Sequence, residues 1–209
     1  MILAIDTAFG PIGAALLSPA GDVVAHEAVA DALGTQAEKL APLVQQMFAA
    51  HRLKPSAVTR IAVSTGPGAF TGVRVGLAFA KGLALALKVP LLGFTTLACL
   101  AAQARGERRD ASYAVVIDAR RGEYYAQGID AFGPAVMAAN DVRAELDRMK
   151  RPLVVVGSGA QVIGARDAEV LDIQTVDVRE LARLALRAEP ASHPPVPCYL
   201  RAPDARLPS

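Results

Sequence analysis

Ile61-Ala-Val-Ser-Thr-Gly-Pro-Gly-Ala-Phe-Thr-Gly-Val-Arg-Val-Gly76, continued to Leu87 by a run rich in Ala, Leu and Gly, reads as strand, tight loop and helix. Ile61 to Val63 is an apolar run, Gly66-Pro67-Gly68 breaks it, and Thr71 is placed to cap the helix by accepting amide hydrogen bonds of its first turn. A loop this rich in glycine brings backbone close to something. Gly72, Gly76, Ala80 and Ala84 then fall four residues apart and stack on one face, where lack of bulk lets another helix approach. Interior glycines cost about 1 kcal/mol each relative to Ala, so Gly76 and Gly82 are expected to have a packing reason. Arg74, Lys81 and Lys88 form a second, basic stripe, read first as a solvated face.

Outward from this stretch the pattern is α/β. Ile2 to Ile5, Ile12 to Leu17 and Val23 to Val29 are three strands in succession, joined by turn residues such as Ser18-Pro19-Ala20-Gly21-Asp22, and they predict an antiparallel meander. Thr35-Gln36-Ala37-Glu38 is a capping box opening a helix with Leu40, Leu43, Val44, Met47 and Phe48 at helical spacing. Pro42 inside it predicts a kink or a late start. After the organising segment come a strand over 90–93 and a helix over 95–104. The charged stretch 107–110 marks a boundary between two halves, 1–106 and 107–209.

The second half opens with a strand over 113–118, the turn Arg120-Arg121-Gly122 and a returning strand over 123–129. A helix capped by Asn140 or Asp141 runs through Met149, a strand covers 153–156, and Asp177 starts a helix through Leu186. The tail from Pro190 to Ser209 is proline-rich and aperiodic, fit to dock on a surface but not to form a core. No repeat of solenoid length is visible, although both halves begin with strands and pass to helices.

Composition narrows the function. The chain is 53% hydrophobic and 20% charged with a formal charge of +2, too balanced to mark a nucleic-acid surface by itself. Trp is absent and aromatics make up 5%, which argues against a platform for stacked bases. Cys99 and Cys198 form no C-x-x-C pair and fit buried thiols in a reducing compartment, so a cytoplasmic protein is expected. No stretch reaches the roughly 18 uninterrupted apolar residues of a membrane span.

The segment from Ser64 to Gly76, Ala80-Lys-Gly-Leu-Ala84, Asp118-Ala-Arg-Arg-Gly-Glu-Tyr124 and Tyr199-Leu-Arg201 together resemble the TsaB family, also called YeaZ. The resemblance implies the actin, sugar-kinase and Hsp70-like (ASKHA) fold: two α/β lobes, the C-terminal one reduced. It implies a non-catalytic subunit that pairs with the catalytic paralogue TsaD, and works with TsaE, in moving threonylcarbamoyl from its adenylate to N6 of the adenosine beside the anticodon of tRNA. The paralogue carries a His-x-x-x-His metal motif where this chain reads Thr95-Thr-Leu-Ala-Cys99. No metal site, no firmly bound cofactor and no membrane contact are therefore expected, with ATP or ADP admitted at the interface with TsaD.

The family's interface is helical. Carried onto this sequence it falls on Leu40, Leu43, Val44 and Met47 of one helix and Gly72, Gly76, Leu77, Ala80 and Ala84 of the other, half of a four-helix contact that also gives a homodimer when TsaD is absent. Contact with tRNA would come through the complex, with the basic stripe and Arg120-Arg121 as candidates. Two rivals stay open. A phosphotransferase would use Asp6, Thr7, Gly66 and Gly68 around phosphate, although Ala8 stands where such motifs carry glycine; a peptidase would need Ser64 or Cys99 as nucleophile, without a paired histidine motif.

Overall fold

The computed structural model describes residues 1–30 and 34–201. The meander forms as expected: β1 (Ile2–Asp6), β2 (Ile12–Leu17) and β3 (Val23–Val29) pair antiparallel. Two parallel strands then extend the sheet on the other side of β1. They are β4 (Arg60–Ser64) and β5 (Leu91–Phe94), giving the order β3-β2-β1-β4-β5. Strands buried on both faces read as continuous apolar runs, and all five residues of β1 are buried.

Three helices connect or follow these strands. Helix α1 (Gln36–Ala50) starts behind Thr35, so Pro42 causes no late start. Helix α2 (Phe70–Leu87) begins one residue before Thr71, with Ala69 at the N-cap, so Thr71 is not the cap. Helix α3 (Thr96–Glu107) is capped by Thr95, whose hydroxyl accepts from the Ala98 amide at 3.0 Å.

The same plan then recurs. Strands β6 (Ser112–Asp118), β7 (Glu123–Gly128) and β8 (Phe132–Ala138) form a second meander. Helix α4 (Ala139–Arg148) follows directly with Ala138 at its N-cap, so neither Asn140 nor Asp141 caps it. Next come β9 (Leu153–Val156), α5 (Ala160–Ile163), β10 (Ala168–Val170) and α6 (Val178–Arg187). Asp177 caps α6 by accepting from the Arg179 amide at 2.8 Å. The second sheet has the order β8-β7-β6-β9-β10, the same order as the first with each strand number raised by five. Its reduction is local: four-residue α5 stands where the first lobe has eighteen-residue α2.

The final helix of each half crosses to the other half. Leu97, Leu100, Ala101 and Ala104 of α3 pack on Tyr113, Val115, Ile117, Val154 and Val156 of the second sheet. Leu181, Ala182 and Ala185 of α6 return to the first sheet and pack on Ile2, Ala4, Leu17 and Ala62. The division at residue 106 thus leaves α6 across the boundary from the sheet it covers. On the opposite face of that sheet α1 and α2 cover Leu3, Ile5, Ile61 and Val63.

The small residues of α2 have an internal reason. A Cβ added at Gly72 would lie 1.9 Å from the Thr7 carbonyl oxygen, and one at Gly76 would lie 2.4 Å from the Thr7 hydroxyl. At Gly82 an added Cβ meets nothing within 4 Å, so no described residue of this chain gives it a packing reason. Gly76→Ala is expected to lower unfolding stability in urea by about 1–3 kcal/mol through overpacking, and Gly82→Ala to raise it by roughly 0.5–1 kcal/mol. Equal effects at the two sites would show that α2 does not sit this close to β1.

Candidate functional site

At the carboxyl end of β1 the chain turns past the glycine loop, and the contacts there are made by the protein itself. The Thr7 hydroxyl donates to the Gly72 carbonyl at 2.6 Å. The Ala69 amide donates to the Ala8 carbonyl at 2.8 Å. A Cβ on Gly68 would lie 2.1 Å from that same carbonyl oxygen, which is why glycine is required. Gly66 has φ +88°, a left-handed conformation natural to glycine.

The C-terminal tail closes the other side of this loop. The Gly93 amide donates to the His193 carbonyl at 2.9 Å, and the Cys198 amide to the Thr65 carbonyl at 2.8 Å. The Tyr199 ring lies 5.2 Å from that of Phe70, and the Arg74 guanidinium sits 3.7 Å over Phe70 and reaches the Tyr199 hydroxyl at 3.4 Å. Leu200 packs with the core of the second lobe, and Arg201 donates to the Ala119 carbonyl at 2.9 Å and to the Glu123 carboxylate. The segment 193–201 is therefore a strap across both lobes. Residues 202–209 of the predicted tail lie outside the described residues.

Between the lobes remains a cavity of about 440 Å³, lined by 8–10 and Gly68-Ala69 on one side and by 117–120 and Tyr125 on the other. Of the four residues expected around phosphate, Gly68 alone lines it. Asp6 and Thr7 are buried, at 1% and 4% exposure, and the carbonyl of Cys198 shields Gly66. Across the cavity Asp118 binds the Arg120 amide at 2.7 Å, and Arg120 and Arg121 form the hairpin tip with φ of 64° and 57°. The residues in place do not form a phosphate cradle on the first lobe.

Asp6 has another use. It accepts from the Ser64 hydroxyl and, at 3.0 Å, from the Ala8 amide, holding the end of β1 against β4. Its other carboxylate oxygen is buried without a partner. Burial pushes the carboxyl up to about 6, against hydrogen bonds from Ser64 and backbone amides that pull it down. The peptidase candidates fare no better: Ser64 is committed to Asp6, and Cys99 is wholly buried with its thiol pushed up, first by burial and then by Asp6. Residues 95–99 form the first turn of α3, and among the described residues no three His, Cys, Asp or Glu side chains cluster as metal ligands.

The nine expected interface residues turn inward. Leu40, Leu43, Val44, Met47, Leu77, Ala80 and Ala84 are each at most 7% exposed, and Gly72 and Gly76 press on Thr7. Their periodicity marks the core face of each helix. The outward face of α2 instead carries Ala78, Gly82 and Leu85 together with Arg74 and Lys81, with Leu85 81% exposed and Val75 and Phe79 half-buried beside them. Sequence periodicity marks the small-residue face of α2 and the basic stripe beside Ala78 and Leu85, but not whether the small face meets its own sheet or another chain. With 18 residues and a mean hydropathy of 1.4 it is long and apolar enough to cross a membrane, yet six of its residues pack inside the first lobe.

A carboxyl whose folded pKa is raised favours folding most when protonated, so the contribution of Asp6 falls as pH rises from its unfolded value near 3.8 through about 6. Relative to Asp6→Asn, the native chain should lose about 2 kcal/mol between pH 4 and pH 7, at about 1.4 kcal/mol per pKa unit. Urea unfolding of both proteins across that range measures the difference, and a flat difference would show that Asp6 is not desolvated.

The sequence matches the family described as "TsaD: tRNA N6-adenosine threonylcarbamoyltransferase" over residues 31–153. It is 32% identical over 188 residues to the tRNA threonylcarbamoyladenosine biosynthesis protein TsaB of Escherichia coli, covering 81% of this chain and 80% of that one. An uncharacterized protein of Mycobacterium tuberculosis is 34% identical over 98% of this chain and 93% of its own length. The structure of YeaZ from Pseudomonas aeruginosa superposes with a TM-score of 0.73 at 27% identity, over 95% of this chain and 99% of that chain. An activator of 2-hydroxyisocaproyl-CoA dehydratase from Clostridium difficile shares the fold, at a TM-score of 0.51 and 11% identity over 88% of this chain and 92% of that one. Duplicated sheets in an ASKHA arrangement, a glycine loop folded onto its own chain and these relatives together place the chain in the TsaB (YeaZ) family.

Proposed function

We propose that this chain is the non-catalytic subunit that pairs with a TsaD-type transferase and works with TsaE in tRNA threonylcarbamoyladenosine synthesis. The observation that carries the reading is the outward face of α2. Ala78, Gly82 and Leu85 fall on one side at helical spacing, exposed although apolar or small, with Arg74 and Lys81 along the same face, and an exposed Leu between small residues on a helix is a surface that a partner covers. The absence of a Cβ at Gly82, with open space in front of it, suits the close approach of a second helix. Helix α1 packs beside α2 and exposes Ala41, Gln45 and Ala49. Two helices from TsaD would complete a four-helix contact, and the same face can pair with its own copy as a homodimer when TsaD is absent.

The other readings have less support. The amide of Ala69 and the hydroxyl of Thr7 are spent on internal carbonyls, which supports a subunit with no firmly held nucleotide; on this reading ATP or ADP would sit at the interface with TsaD. On this reading tRNA is reached through the complex.

Static light scattering of the chain with TsaD tests the pairing. The native chain should form a heterodimer. Leu85→Asp combined with Ala78→Arg should weaken pairing at least tenfold while its unfolding stability stays within about 0.5 kcal/mol, as for exposed sites. A double variant that pairs as the native chain does would move the interface elsewhere.

A further inference from the structure

A second surface is unlike the first. Two adjoining cavities of about 640 and 720 Å³ open where α3 meets the ends of α4 and α6, and Arg105, Arg109 and Ile129 line both. Arg148 and Lys150 complete the cationic lining of one, Arg183 and Arg187 that of the other. Against these six cations stand two carboxylates, Asp130 and Glu180. The trough thus carries a formal +4 where the whole chain carries +2, so the rest of the molecule is net negative.

Three of the cations are held and three are available. Arg105 lies 3.7 Å from Asp130 with its guanidinium 5.7 Å over the Tyr113 ring, Arg148 pairs with Glu145 at 2.5 Å, and Arg183 pairs with Glu180. Arg109, Lys150 and Arg187 are exposed, and among the described residues none has an ion-pair partner. They come from three separate parts of the chain, so the cations do not form one periodic helix face. Helix α6 covers the face of the first sheet opposite α1 and α2, which leaves the trough open when the α2 face is occupied.

We infer that this trough binds the phosphodiester backbone of RNA, through Arg109, Lys150 and Arg187, while Arg105, Arg148 and Arg183 hold its walls. Resting on the subunit reading, it gives the chain its own contact with the tRNA substrate. Two joined cavities with cations spread along them fit an extended polyanion better than a single phosphate. Phosphate contacts position a strand without reading its bases, which suits the lack of an aromatic platform.

Fluorescence anisotropy of an end-labelled tRNA transcript with the full chain is the test. Binding should weaken with salt at a log-log slope between about −2 and −3, as expected for three phosphates neutralised. Arg109→Glu, Lys150→Glu and Arg187→Glu together should weaken it more than tenfold at low salt, whereas Arg52→Glu, Lys54→Glu and Arg166→Glu, an equal change in net charge at exposed sites outside the trough, should have little effect. Light scattering with TsaD separates the two ideas, since the trough variant should pair normally. The assignment is overturned if the native chain does not bind the transcript, if both triple variants weaken binding alike, or if the trough variant binds as the native chain does. It is also overturned if ATP or vesicles of anionic phospholipid bind at the trough while the transcript does not.

Discussion

Strand β1 is enclosed on every side. Its neighbours β2 and β4 take both edges, α1 and α2 cover Leu3 and Ile5, and α6 covers Ile2 and Ala4. A strand in this position needs cover from elements far apart in sequence, and α6, more than 170 residues away, supplies one face. The exchange of α3 and α6 between the halves follows from it. At the end of the same strand Asp6 and Thr7 fasten the glycine loop, so the conformation of that loop is set by internal packing.

This accounts for the chemistry that the site does and does not offer. Glycines in such a loop can serve phosphate binding or close packing, and here the neighbours are the carbonyls of Thr7 and Ala8 and the strap that ends in Arg201. What remains between the lobes is a cavity in which Asp118 is tied into its own turn. On the outside, one helix face exposes Ala78, Gly82 and Leu85 beside Arg74 and Lys81, and one junction of helices is basic.

The meander, the strand-loop-helix of the first half and the cap at Asp177 are legible in the sequence because their signals are local: turn residues, apolar runs and a carboxylate at a helix start. β8, α5 and β10 are not, since Phe132–Ala138 contains Gly133 and Pro134 and the other two elements span four and three residues. The inward turn of Leu40, Leu77, Ala80 and the α2 glycines escapes for a different reason. Period 3.6 identifies a face but not its neighbour, so a stripe of small residues reads equally well as a contact with the helix's own sheet or with a partner helix. The basic trough is invisible in the same way, because its cations are separated by up to some 80 residues and share only a place in space.

The crossing of α6 also governs the order in which the protein can mature. When β5 leaves the ribosome the first sheet has all five strands, yet the face carrying Ile2, Ala4 and Ala62 stays bare until α6 emerges, about 80 residues later. At the usual pace of translation that interval is on the order of ten seconds. Throughout it the nascent chain presents an uncovered apolar sheet face, the kind of surface that makes partly made chains aggregation-prone, and the first lobe is fully covered only when the second lobe is nearly complete.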